Sequence, residues 1–160
     1  MIMKKIFSIL AIAVLASQVT VIAQSKTTRA FAEKYDDAFT LFFYNNTLHM
    51  LNQEDNKEFE ALIKDIDKMK FIRVSKKENN LTDADFKKMV DKYHDEDFED
   101  LMTMSHEGMN INVYIQEDDG VTTGLVLLMS DAESFSVLDI IGSVPLNKLA
   151  NLISKVQDIN

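Results

Sequence analysis

Apolar positions recur along this chain with two periods, and the change from one to the other divides it. Up to Tyr93 most fall at helical spacing, and from Phe98 onward they alternate. After a polar, frayed start, Phe31, Tyr35 and Ala38 make a short helical stripe that Thr28 is placed to cap. Phe39-Thr40-Leu41-Phe42-Phe43-Tyr44 is dense in aromatic residues and reads as a strand, although Tyr35, Phe39 and Phe42 also fit a helical period. One helical turn follows over Thr47 to Leu51. Phe59, Leu62, Ile63, Ile66 and Met69 line one face of a helix predicted over Asp55 to Met69, with charges opposite. Phe71 to Val74 reads as a short strand and Lys76 to Asn80 as a polar turn. Thr82, with Asp85 three residues on, then opens a second long helix whose buried stripe is Phe86, Met89, Val90 and Tyr93.

The alternating half predicts four successive strands: Leu101 to Ser105, Ile111 to Gln116, Gly124 to Ser130 and Phe135 to Ile141. Asp118-Asp119-Gly120 is a hairpin signal between the second and third. Ile111, Val113 and Ile115 alternate with Asn112, Tyr114 and Gln116, which predicts one wet face there. Leu125 to Met129 is apolar throughout, as expected of a central strand covered on both sides. Pro145 suits the first position of a closing helix with the stripe Leu146, Leu149, Ala150 and Ile153. The fold class is therefore α+β. The architecture expected is a single domain over 24–160. Its antiparallel sheet combines the late four-stranded meander with one or two earlier strands, and the helices pack on one face.

Residues 1–23 have the three parts of a secretory signal peptide. Lys4 and Lys5 precede an apolar run from Ile6 to Ala16, and Val21-Ile22-Ala23 puts short residues where signal peptidase reads them. Ser17, Gln18 and Thr20 interrupt the apolar stretch before it reaches the ~20 residues a membrane span needs. Cleavage is predicted after Ala23, leaving a protein in the periplasm or secreted. No later stretch is apolar enough to span a bilayer. Removing the signal takes away two lysines and no acid, so a chain of net charge -9 becomes more acidic still. That charge disfavours nucleic acid and anionic lipid surfaces as partners. With Cys 0, disulfides, thiolate nucleophiles and Cys-held metals are excluded, and an exported domain must rely on its core alone.

No nucleophile elbow, phosphate loop, metalloprotease helix or EF-hand loop is present, and no cofactor is implied. Three groups of residues have chemistry worth following. Met102, Met104 and His106 would share one face of a strand, with Met109 nearby, and two thioethers plus an imidazole suit Cu(I). The stronger reading is that two methionines on the inner face of a half-buried strand are ordinary core filler, with His106 at the turn. His94-Asp95-Glu96-Asp97 with Glu99 and Asp100 offers oxygen ligands for calcium, without the glycine-bearing loop of a dedicated site. Phe39, Phe42, Phe43 and Tyr44 are core if buried, and a partner-binding patch if two or more stand exposed. Arg73 would either orient a carboxylate or mark a sheet edge.

The Phe31-x-x-x-Tyr35 pair, Leu101-Met102 with Glu107-Gly108, Ile111-x-Val113-Tyr114 and above all Ile141-Gly142-x-Val144-x-Leu146-x-x-Leu149 resemble the domain-of-unknown-function 4252 family. Its members are small exported proteins of Gram-negative bacteria. The resemblance implies an exported α+β protein of this size and brings no assigned activity or site residue. Some members carry a lipid-anchor Cys after the signal, which this chain lacks. The function expected is that of a non-enzymatic envelope protein binding a protein or peptide partner, by strand addition at a free edge. The alternatives are a copper- or ligand-binding protein using Met102, Met104 and His106, and a hydrolase whose residues converge only in space.

Overall fold

The computed structural model describes residues 24–53 and 55–145. In chain order the elements are α1 (Lys26–Lys34), β1 (Phe39–Tyr44), α2 (Asn45–Met50), α3 (Lys57–Ile63), β2 (Ile66–Ser75), α4 (Lys76–Asn79), α5 (Asp83–His94), β3 (Glu99–His106), β4 (Met109–Asp118), β5 (Val121–Ser130) and β6 (Ser134–Gly142). The six strands form one sheet in the order β1-β2-β6-β5-β4-β3, antiparallel throughout. The α+β class and the four-stranded meander are as the alternation predicts. Two of its hairpins turn on two residues of positive φ, Glu107-Gly108 and Asp119-Gly120, the pattern whose twist suits antiparallel strands. The closing helix from Pro145 lies, beyond its first residue, outside the described residues, as does the signal segment.

The helices pack on both faces of the sheet rather than on one. Leu48 from α2 and Leu62 and Ile63 from α3 join Phe71, Val113, Leu127, Leu138 and Ile140 in one core. Phe31 from α1, Tyr35 just after it, and Met89 and Tyr93 from α5 join Ile72, Tyr114, Val126, Leu128 and Val137 in a second core. Strand alternation separates the two sets, since odd and even residues of β4, β5 and β6 point to opposite faces. The face of β4 predicted to be wet is accordingly covered. Tyr114 is fully buried with its ring stacked on Tyr93 at 5.9 Å, and Asn112 donates to its hydroxyl at 2.9 Å.

Three further expectations are corrected. The helix predicted over Asp55 to Met69 ends at Ile63, and Ile66 already belongs to β2. Ile66 and Met69 continue the helical period by coincidence, because both serve the same core from a strand that carries a bulge between Ile66 and Lys68. The segment 24–29 is not frayed: α1 begins at Lys26, is capped by Ser25 rather than Thr28, and buries Thr27 and Thr28. Arg73 marks no edge, since β2 lies between β1 and β6. Thr82 is the N-cap of α5 as expected, and Asp85 accepts from the Thr82 backbone N–H at 3.0 Å and from its hydroxyl at 2.8 Å.

Candidate functional site

Among the described residues two strands end the sheet, β1 and β3, and they differ in chemistry. β3 carries Glu99, Asp100, Thr103, Ser105 and His106 and is bulged between Asp100 and Met102. Charges and bulges are the usual means of closing an edge to further strands. β1 has the sequence Phe-Thr-Leu-Phe-Phe-Tyr, no charge, and an unbroken six-residue register with β2. Phe39, Phe42 and Tyr44 are 52%, 55% and 57% exposed. Phe43 and Leu41 turn inward against the core. Of the four aromatic residues singled out in the sequence, three are thus presented at an edge and one is packed away. Phe39 leans edge-on against Phe71, and the Lys70 ammonium lies 4.7 Å over the Phe42 ring. Met50 and Leu51, just after β1, are exposed as well.

The thioether and imidazole trio lies on the opposite edge. Met102, Met104 and His106 pair across to Val113, Ile111 and Met109, so all three do share a face of β3. Met104 and Met109 pack against the core, Met102 is partly exposed, and the exposed His106 imidazole sits 3.7 Å from Glu107.

The acidic run is put to structural use. His94 meets Asp100 at 3.1 Å. Glu96 reaches across to α1, accepting from the backbone N–H groups of Lys26 at 2.7 Å and Thr27 at 2.6 Å and from the Ser25 hydroxyl at 3.3 Å. Burial alone would raise its carboxyl. The Thr27, Lys26 and Ser25 donors outweigh that and hold it below the usual range. Among the described residues no three His, Asp or Glu side chains gather as a metal site. Replacing Glu96 with Ala should therefore act on α1, lowering stability by about 1–3 kcal/mol as two helix N–H groups lose a charged acceptor. Thermal melts and amide exchange at Lys26 and Thr27 measure this, and unchanged protection at both amides would contradict it.

Beneath α1 lies a group that sequence patterning passed over. Asp139, on the central strand β6, is 3% exposed, and its Oδ2 has no hydrogen-bond partner. Its cross-strand neighbour is Lys70, also buried. Burial pushes the Asp139 carboxyl up to about 6, against the pull of the Thr28 hydroxyl and the Ser25 backbone N–H. The Thr28 hydroxyl is shared with the buried Tyr93 hydroxyl at 2.9 Å. The available signal was a single acid within the apolar run Val137-Leu138-Asp139-Ile140-Ile141. A separate groove of about 200 Å³ between α1 and α5 is lined by Phe31, Tyr35 and Met89 together with Lys34, Lys88 and Lys92. Two groups in its lining are shifted toward their charged forms, Lys34 upward by its hydrogen bond with Tyr35 and Asp85 downward by its hydrogen bonds from Thr82.

A family model described as a domain of unknown function, DUF4252, matches residues 31–152. The chain belongs to this family. Neither the curated proteins nor the solved structures give a match. Within the DUF4252 match fall the open edge, the acidic run and Asp139. No helix of the described residues is long and apolar enough to cross a membrane.

Proposed function

We propose that the chain is exported, is cut after Ala23, and acts in the periplasm or outside the cell as a non-enzymatic protein. It binds an extended segment of a protein partner along β1. The contrast between the two sheet edges carries this reading. A free edge offers a row of backbone donors and acceptors, and an uncharged, unbulged one invites pairing unless it has a use. On β3 that invitation is withdrawn by acids and a bulge; on β1 it is left open and flanked by three exposed aromatic rings. Strand addition supplies main-chain hydrogen bonds, and Phe39, Phe42 and Tyr44 supply apolar ground for alternate side chains of the partner. The signal-like segment 1–23 supports the location.

A photo-crosslinking residue at position 42, compared with one at Met102, tests this in the native envelope fraction. A discrete adduct with one foreign protein is expected from position 42 alone. Phe39→Lys with Tyr44→Lys should cut its yield tenfold or more, because exposed interface aromatics each contribute on the order of 1–2 kcal/mol or more. The melting temperature should fall by only a few degrees, since Tyr44 is mostly exposed and Phe39 gives up one edge contact with Phe71. Adducts from Met102 alone, or only with a second copy of this chain, would overturn the reading.

A further inference from the structure

The N-terminal end of α1 meets two carboxylates, and only one of them is fully engaged. Glu96 takes the Lys26 and Thr27 N–H groups, while the Thr28 N–H is used by the Ser25 hydroxyl. Asp139 faces the Ser25 N–H and the Thr28 hydroxyl. Its second oxygen is left buried and bare. The other polar groups around it do not fill the gap. Lys70 points its ammonium over the Phe42 ring, Tyr93 spends its hydroxyl on Thr28, and Glu96 repels. Arg29 and Glu33 on α1 act on Lys70, in opposite directions.

Among the described residues, a further backbone donor lies within reach by covalent geometry. Consecutive backbone nitrogens lie no more than about 3.7 Å apart, so the nitrogen of Gln24 is tied close to the Ser25 N–H that already serves this carboxylate. In the uncut chain that nitrogen is an amide with a single hydrogen. Hydrolysis of the Ala23–Gln24 bond leaves a carboxylate on Ala23 and converts it to an ammonium with three donors and a positive charge.

We propose that Asp139 is the binding site for the chain's own α-amino group, released at Gln24 by signal cleavage; this rests on the export reading above. The ammonium supplies the missing partner of Asp139 Oδ2 and offsets the paired negative charge of Asp139 and Glu96. Cleavage then does more than free the protein from its signal, because it completes the packing of α1 on β6. A buried carboxylate gains most from such a partner, since leaving it single is what costs stability.

The test uses the chain released from a fusion by a protease that leaves Gln24 first, with its amine dimethylated with carbon-13 so that the charge is kept and can be titrated. Pairing should raise the amine pKa by a unit or more above the usual ~8. Asp139→Asn should return it to about 8. Acetylating the amine should lower the melting temperature by about 5 °C or more, a readout that stands even if the Asn variant folds poorly. An amine that titrates at its ordinary value, with no change in melting on acetylation, overturns the proposal. The mass of the protein from its own envelope separates this from the export reading. A start elsewhere than Gln24 removes both. A start at Gln24 with the amine closed onto its own side-chain amide, lighter by one ammonia, keeps export and removes the pairing.

Discussion

Gly142→Ala is expected to lower the melting temperature by about 10 °C, the largest single-methyl effect in the described chain. At φ +115° this residue holds a backbone conformation that L side chains rarely adopt. A Cβ there would stand 2.3 Å from the Asp65 carbonyl oxygen, 2.9 Å from the Asp67 nitrogen and 3.0 Å from the Ile66 Cα. All three are backbone atoms at the entry to β2 and its bulge, which cannot swing aside as a side chain can. The close approach has a purpose. Ile66 pairs with Gly142, the Ser143 N–H bonds the Asp65 carbonyl at 2.8 Å, and the chain then turns Val144 into the core. Backbone strain and overpacking each contribute about 1–3 kcal/mol, which together give about 3 kcal/mol or more. Gly120→Ala is the control. It has a positive φ of +76° but open space around it, so it bears the strain without the clash. Thermal melts of the two variants that came out equal would show that the contact with Asp65 is not what Gly142 protects.

The same glycine illustrates what was legible in the chain and what was not. Its place in Ile141-Gly142-x-Val144 stands out in the sequence, yet the reason for it lies in β2, far away along the chain. The meander was legible because every signal for it is local: period-two alternation in β4, the Asp-Gly turn before β5, and the unbroken apolar run of β5. Helix α5 was legible through Thr82 and Asp85. The helix over Asp55 to Met69 misled because Ile66 and Met69 satisfy two periods at once, and only their pairing with β6 decides between them. The two-sided packing was hidden because α2 and α3 are short and bury only Leu48, Leu62 and Ile63 between them.

Site legibility follows the same division. The aromatic run was visible, but its exposure depends on β1 being an outer strand, which is set when β2 inserts between β1 and β6. Glu96 looked like one acid among several, and its role appears only where Ser25, Lys26 and Thr27 arrive beside it. Lys70 and Asp139 each interrupt an apolar strand, and their pairing across β2 and β6 is a matter of register. These buried charges stand next to the open edge, since the Lys70 ammonium touches the Phe42 ring. A partner strand laid over Phe42 would therefore press on the cluster that α1 covers.

Stability of the uncut or N-acetylated chain should fall as pH rises from about 4 to about 6, through Asp139 alone by about 3 kcal/mol. Burial foremost, helped by repulsion from Glu96 and opposed by Thr28, Ser25 and Lys70, raises the Asp139 carboxyl from 3.8 to about 6. Between those values the folded chain keeps a proton that the unfolded chain has lost, so folding is favoured on the acid side. Below 3.8 both states are protonated and the penalty is absent; above about 6 it is present in full. Glu96 and Asp85 act with the opposite sign, because donors hold both carboxyls below their usual range and their contribution is lost as pH falls. The parent profile is a sum of the two tendencies, so the informative quantity is its difference from Asp139→Asn. Denaturant melts from pH 4 to pH 7 should show the Asn variant gaining on the parent by about 3 kcal/mol over that range. A flat difference would mean that Asp139 titrates like an exposed carboxyl. In the chain with a free Gln24 amine the ordering should reverse near neutral pH. Asp139 is then ionised opposite an ammonium, and Asn leaves that charge buried without its partner. The same acid thus opposes folding before the cut and supports it afterwards.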